Sequence, residues 1–246
     1  MDIPHHPLRL FAADLALRSA LSDGDCDAIC DLRFSLRSFV KSAYFVREAD
    51  VANSCGVLVS GHAFRHKTTS SGGRQLLSIL LPGDALDLQN LHLSVSDHNI
   101  QMMTPGVIAI FDRRLLQDLA LKRPAIQRAI IVKILTEASM FREWILTMGR
   151  RSAEERISHL FCEIAARLNS SGMTSPYAYE LPISQEELAD ATGITPVHVG
   201  RILKKLEAAG LVSRNRKSIN FLDLDGLRAL ADFNPRYLHL EERSQV

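Results

Sequence analysis

Apolar positions along this chain change their period three times. Residues 8–32 read as short helices, broken at Ser22 and Asp23. From about 34 to 111 the apolar positions come instead as short runs, at 56–61, 75–81 and 106–111, bounded by Gly, Pro and Ser. Such runs predict the strands of a compact all-β barrel or roll, and Gly72-Gly73 predicts a hairpin turn between two of them. After Phe111 the period becomes helical. Pro124 suits the first turn of a long helix reaching about Met148. Within it Ile131, Ile134, Ala138, Phe141, Ile145 and Met148 recur at alternating steps of three and four. That is a heptad seam, which predicts pairing with a second copy of the chain. The seam could instead pack on the helix's own β-unit, although Ile130, Leu135 and Trp144 lie off it and are available for that contact.

The segment 149–152 breaks this pattern as a hinge, and Ser152 with Glu155 has the spacing of a capping box for the next helix. That helix carries Ile157, Leu160, Phe161, Ile164, Ala165 and Leu168 on one stripe, and a loop over 169–176 follows. Residues 184–206, SQEELADATGITPVHVGRILKKL, then read as helix, tight turn and helix. Ser184 and Glu187 form a second capping box, so a helix should start at Gln185. Gly193 supplies the residue a tight turn needs at positive φ. Thr195 caps the second helix, with Pro196 in its first turn, where a missing N–H costs little.

This second helix is predicted to divide by face. Val199, Ile202, Leu203 and Leu206 fall on a stripe that packs on Leu188 and Ala191, whereas Val197, His198, Arg201, Lys204 and Lys205 point away. An apolar inner face and a basic outer face after a capped helix and a glycine turn predict the recognition half of a DNA-binding helix-turn-helix. The other reading of such a face is a solvated helix of an ordinary bundle. Downstream, 210–221 reads as a hairpin with a basic tip, a wing. Between Thr195 and Phe221 six Lys/Arg stand against one acid, Glu207, a net of +5 in a chain whose total is only +1. Positive charge concentrated in this way is an electrostatic footprint for a phosphate backbone. Base contacts are expected from Thr195, Pro196, Val197, His198 and Arg201. Phosphate contacts are expected from Ser184, Gln185, Lys204, Lys205, Arg214, Arg216 and Lys217.

Composition narrows the class without changing this picture. The chain has 246 residues, 46% apolar and 23% charged, enough to bury a core. No apolar run is long enough to span a membrane, and the N-terminus lacks the pattern of a secretory signal, so a cytoplasmic protein is expected. Cys26, Cys30, Cys55 and Cys162 are scattered without metal spacing and read as structural thiols, and His5, His6, His62 and His66 do not form a ligand set. No metal or cofactor is expected. Nor is an enzyme, since no nucleophile–base pair, P-loop or metal triad occurs. Asp84, Asp87 and His92 read as solvated loop groups.

The order of β-roll, long helix and winged helix-turn-helix resembles the Crp/Fnr family of bacterial transcription regulators over about 15–230. Its most specific pieces are 199–204 (VGRILK) and 81–84 (LPGD), with 47–50 (READ) and 210–212 (GLV) also similar. The resemblance implies an α+β protein. Residues 1–112 would form N-terminal helices and a cyclic nucleotide-binding-like, double-stranded β-helix-like roll as sensor, 113–149 the dimerisation helix, and 150–246 the winged helix-turn-helix. It also implies a homodimer on a palindromic operator, and contact with RNA polymerase. Arg201 matches a family arginine that reads guanine. Pro196 and Val197 depart from the family, being apolar where its best-known members are polar, so the operator should differ. An effector pocket is placed at Gly83, Asp84, Asp87 and Leu88. No Lys or Arg lies between Gln75 and Asp112 to meet a cyclic phosphate, so an effector other than cyclic AMP, or none, is expected. The alternative function is an effector-binding sensor whose winged helix makes protein–protein contacts.

Overall fold

The computed structural model describes residues 6–51, 53–171, 177, 179–215 and 218–240. The chain forms two compact units: one holds the described residues of 1–67, 78–138 and 239–246, the other those of 68–77 and 139–238.

In the first unit the helices α1 (Arg9–Arg18) and α2 (Asp23–Cys30) precede the strands. Ser22 caps α2 by accepting the N–H of Asp25, whose carboxylate accepts the N–H of Ser22 in return. The strands are β1 (Ser35–Phe39), β2 (Tyr44–Val46), β3 (Ser54–Ser60), β4 (Ala63–Thr68), β5 (Arg74–Leu80), β6 (Ala85–Leu86), β7 (Asn99–Met102) and β8 (Gly106–Asp112). They make two four-stranded sheets, in the orders β1-β8-β3-β6 and β2-β7-β4-β5. Leu58, Leu80, Leu86, Ile100, Met102 and Ile108 fill the space inside this roll. A second cluster lies where Phe11, Leu15 and Ile29 of the leading helices meet Val57, Val59, Ala109 and Phe111. It also takes in Leu116 of α3 (Arg113–Lys122) and Ile126, Ala129 and Ile130 of α4 (Pro124–Arg150).

Helix α4 runs two residues past the expected stop, and the boundary between the units falls within it, between Ala138 and Ser139. The break predicted over 149–152 narrows to Arg151 and Ser152, because a lone Gly149 costs a helix only about 1 kcal/mol. In the second unit α5 (Ala153–Ser171) starts at the expected box, with Ser152 and Glu155 exchanging backbone–side chain hydrogen bonds. The short β9 (Glu180–Leu181) leads into α6 (Gln185–Thr192) and α7 (Pro196–Ala208). A three-stranded sheet, β10 (Val212–Asn215), β11 (Ser218–Phe221) and β9, is followed by α8 (Leu224–Ala231) and a 3-10 turn at Pro235–Leu238.

Trp144 of α4 and Tyr237 of the last turn both donate to Oε2 of Glu163 on α5, at 3.0 and 2.9 Å. Burial pushes the Glu163 carboxyl up from its usual range. One turn away His159 stacks on Tyr237 and is lowered to about 3 by burial and by Arg151. The carboxylate of Glu143, 3.2 Å from His159 Nε2, is itself drawn to Arg151 at 2.8 Å.

Candidate nucleic-acid interface

The local chemistry that starts α6 and α7 has the geometry its residues require. Ser184 Oγ accepts the N–H of Glu187 at 3.1 Å while Glu187 Oε2 accepts the N–H of Ser184 at 2.7 Å. Gly193 closes α6 at φ +67°, a conformation in which any Cβ is strained. Thr195 Oγ1 then accepts the N–H of His198 at 3.3 Å and caps α7, with Pro196 in its first turn. Val199, Ile202, Leu203 and Leu206 are buried with Leu188 and Ala191, which fixes the face that α7 leaves outside. On that face Thr195, Pro196, Val197, His198, Arg201, Lys204 and Lys205 are all exposed.

Two supports of this surface had weak or no sequence signal. Arg156 donates from Nη1 to the Thr192 carbonyl at 3.0 Å and from Nε to the Arg151 carbonyl at 2.9 Å. One guanidinium thereby holds both the end of α6 and the α4–α5 link. At Gly200 a Cβ would lie 3.0 Å from Gln185 Oε1, so the bare backbone there gives the Gln185 side chain room beside α7. Ser184 and Gln185 are exposed next to the recognition face.

The predicted cations have unequal freedom. Arg201 makes no hydrogen bond or ion pair among the described residues. Lys205 Nζ lies 2.5 Å from Glu154 Oε2 in the first turn of α5. Arg214 Nη2 lies 2.5 Å from Glu207 Oε2, which ties the wing to α7. Hydrogen bonding from Arg214 holds the Glu207 carboxyl below its usual range, helped by the charges of Arg214 and Lys204. Arg216 and Lys217 lie outside the described residues. In the wing Val212 pairs with Phe221 and Asn215 with Ser218, and Ile219 pairs onward with Leu181.

Along the long helix the residues of the expected seam differ in exposure. Ile131 and Ile145 are exposed, at 48% and 72%, and Ala138 between them is half-buried. Their exposed companions are Leu135 and Leu146, at 60% and 47%, with Arg142. Ile134 packs on the core of its own first unit, and Met148 turns toward Gly193 of its own second unit. Phe141 is half-buried. Of the off-seam residues available for packing on the β-unit, Ile130 is buried and Leu135 is exposed. The helix is apolar on adjacent stripes, and spacing alone does not say which one the roll covers.

The residues of the expected effector pocket lie inside the roll unit. Gly83, Asp84, Asp87 and Leu88 are all buried, and the side chains of Asp84, Asp87 and Leu88 make contacts within the fold. Asp84 accepts the N–H of Leu81 at 2.7 Å and meets Lys133 Nζ at 3.3 Å, while Lys133 reaches Asp14 at 2.6 Å. Burial would raise the Asp14 carboxyl, but Lys133 and Arg18 beside it hold it below the usual range. Asp87 accepts from Asn90 and Ser96, and Leu88 belongs to the core beneath the leading helices. Neither acid is a solvated loop group, because each is buried and accepts hydrogen bonds from groups within the fold. Sequence reading also missed the cations of this unit. Arg65 of β4 is buried, with Ser78, the Ala85 carbonyl and Glu137 at 3.3 to 3.4 Å. It comes from outside the segment 75–112, as Lys133 does. Burial pushes the Cys55 and Cys162 thiols up to about 12.

Residues 36–123 match the family model described as a cyclic nucleotide-binding domain, and 155–230 match that of a Crp-like helix-turn-helix domain. The chain is 27% identical over 184 residues to the transcriptional activator protein FnrL of Cereibacter sphaeroides, covering 74% of this chain and 73% of that one. It is 23% identical over 222 residues to the anaerobic regulatory protein of Haemophilus influenzae, covering 90% and 86%. The solved structure of FixK2 from Bradyrhizobium japonicum superposes with a TM-score of 0.74 at 22% identity, over 81% of this chain and 98% of that one.

Proposed function

Because the chain belongs to the Crp/Fnr family and is a DNA-binding transcription regulator of that type, we propose that it reads a palindromic operator as a homodimer, with Arg201 at the centre of each reading face. The observation that carries this is Arg201 itself, exposed on α7 with no partner among the described residues. A guanidinium offered in this way suits bidentate bonding to guanine O6 and N7, worth about 1–3 kcal/mol of discrimination. Val197, 68% exposed in the first turn of α7, and Pro196 before it suit a thymine methyl. Thr195 and His198 complete the base-reading set. Ser184, Gln185, Lys204, Lys205 and Arg214, with Arg216 and Lys217, set affinity through phosphates.

The second copy is held along Ile131, Leu135, Ala138, Arg142 and Ile145 of α4, which keep heptad spacing on an exposed face. Two-fold symmetry then sets half-sites one helical turn apart, about 34 Å. Contact with RNA polymerase and a cytoplasmic place follow from the family, and among the described residues no helix is long and apolar enough to cross a membrane. The protein acts by binding, without catalysis or a resident cofactor. The roll takes a small molecule other than cyclic AMP, or none, since Arg65 and Lys133 are already matched by Glu137, Asp14 and Asp84.

Selection from a random duplex pool gives the half-site, and Arg201→Ala then tests its reader. The variant is expected to lose preference for the selected sequence while keeping weak, salt-sensitive binding. Unchanged selectivity would show that α7 is not the reading element.

A further inference from the structure

The basic face of α7 is bracketed by acid at both edges. Around the helix, Arg201 is central, with Lys205 on one flank and Lys204 on the other. Beyond Lys205 stands Glu154, reaching over from the first turn of α5 to 2.5 Å. Beyond Lys204 stands Glu207, 2.5 Å from Arg214 of the wing. Two of the phosphate-seeking cations thus already hold a carboxylate at the distance a phosphate oxygen would take. Arg201 at the centre holds none.

We propose that Glu154 and Glu207 are internal stand-ins for DNA phosphates, which DNA must displace to engage Lys205 and Arg214. The proposal rests on the reading of α7 and the wing as the DNA interface. Carboxylate and phosphate both present anionic oxygens to an ammonium or guanidinium, so the two compete for the same donors. Lys205 keeps a 69% exposed side chain while paired, so a phosphate can approach it directly. Arg214 is more enclosed, at 24% exposure, and its Nε has no partner in the paired state, so Glu207 does not satisfy all of its donors. A carboxylate released by the exchange attracts a cation from solution. That uptake offsets part of the counterion release which drives binding to duplex DNA. The acids therefore weaken attachment to DNA of any sequence and flatten its salt dependence, and leave the base-reading arginine untouched.

The test uses the full-length chain and a random-sequence duplex of fixed length. Dissociation constants are measured over a salt series for wild type, E154Q, E207Q, K205A, R214A and the two paired double variants, with the melting temperature of each recorded. Each Glu→Gln variant is expected to bind the random duplex about two- to fivefold more tightly at low salt, the range of an exposed ion pair, with a steeper salt slope. The gain should vanish for E154Q in the K205A background and for E207Q in the R214A background. Equal or weaker binding by E154Q and E207Q, with unchanged melting, overturns the proposal and makes the pairs struts. If E207Q melts early, E154Q decides alone, since it lies outside the wing. Unaltered binding by both K205A and R214A would instead overturn the assignment of these cations to the DNA interface.

Discussion

Gly193→Ala places a methyl group at the joint between α6 and α7, and the structure separates two costs. The first is conformational. Gly193 sits at φ +67°, ψ +32°, where an L-residue loses about 1–2 kcal/mol relative to glycine. The second is steric, because the new Cβ collides with Cε of Met148. That atom ends a flexible side chain, so Met148 can swing away at about 0.5–1.5 kcal/mol if it leaves a rotamer minimum. Together these predict a loss of about 2–3 kcal/mol in the second unit. Trp144 is the sole tryptophan and donates to buried Glu163 in that unit, so its fluorescence in a urea titration reports the unfolding. With a slope of about 1–3 kcal/mol per molar, the midpoint should fall by about 1 M or more. Gly193→Asn should recover part of the conformational cost and none of the steric one, because asparagine tolerates the left-handed region. Met148→Ala in the Gly193→Ala background should do the reverse. A midpoint within 0.2 M of wild type for Gly193→Ala, an arbitrary threshold of roughly 0.5 kcal/mol, would refute the account of the turn.

Acid should loosen the same unit through His159. In the folded chain its imidazole takes a proton only near about 3, against an ordinary value of 6.5. The unfolded state therefore binds more protons across that window, and stability falls as pH falls through it, by about 2 kcal/mol at pH 5. Glu163 works in the opposite sense, its raised carboxyl gaining a proton earlier when folded. A His159→Gln variant should lose the histidine part of the pH slope, and an unaltered slope would exclude His159 as its source. On α4, Ile145→Asp is expected to dissociate the proposed dimer in light scattering without lowering monomer stability, because Ile145 is 72% exposed. Ile134→Asp should destabilise the first unit itself, since Ile134 packs on that core. Equal effects of the two substitutions would refute the proposed dimerisation face.

The reading head was the most legible part of the sequence because its determinants are local. A capping box spans three residues, a glycine turn one, and the buried stripe of α7 follows from helical period alone. What stayed hidden depends on partners far away in sequence. Lys205 and Glu154 are 51 positions apart, and Arg65 and Glu137 are 72 apart, so neither pairing has a local pattern. The ambiguity on α4 had another cause. Ile134 and Leu135 are neighbours of similar hydropathy, and only the position of the roll decides which one is covered. Asp84 and Asp87 misled for the same reason, because a carboxylate beside Pro and Gly reads as solvated until its buried donors are located.

The Trp144–Glu163–Tyr237 node bears on how portable the DNA-reading unit is. The helix-turn-helix and wing end at Phe221, which invites grafting a segment that stops there. Such a graft would leave the buried oxygen of Glu163 without its tyrosine donor and His159 without its stacked ring. A transferable cassette must therefore carry the chain through Leu238 and begin upstream of Trp144, so the smallest portable reader is more than twice as long as the motif over 184–221 that names it.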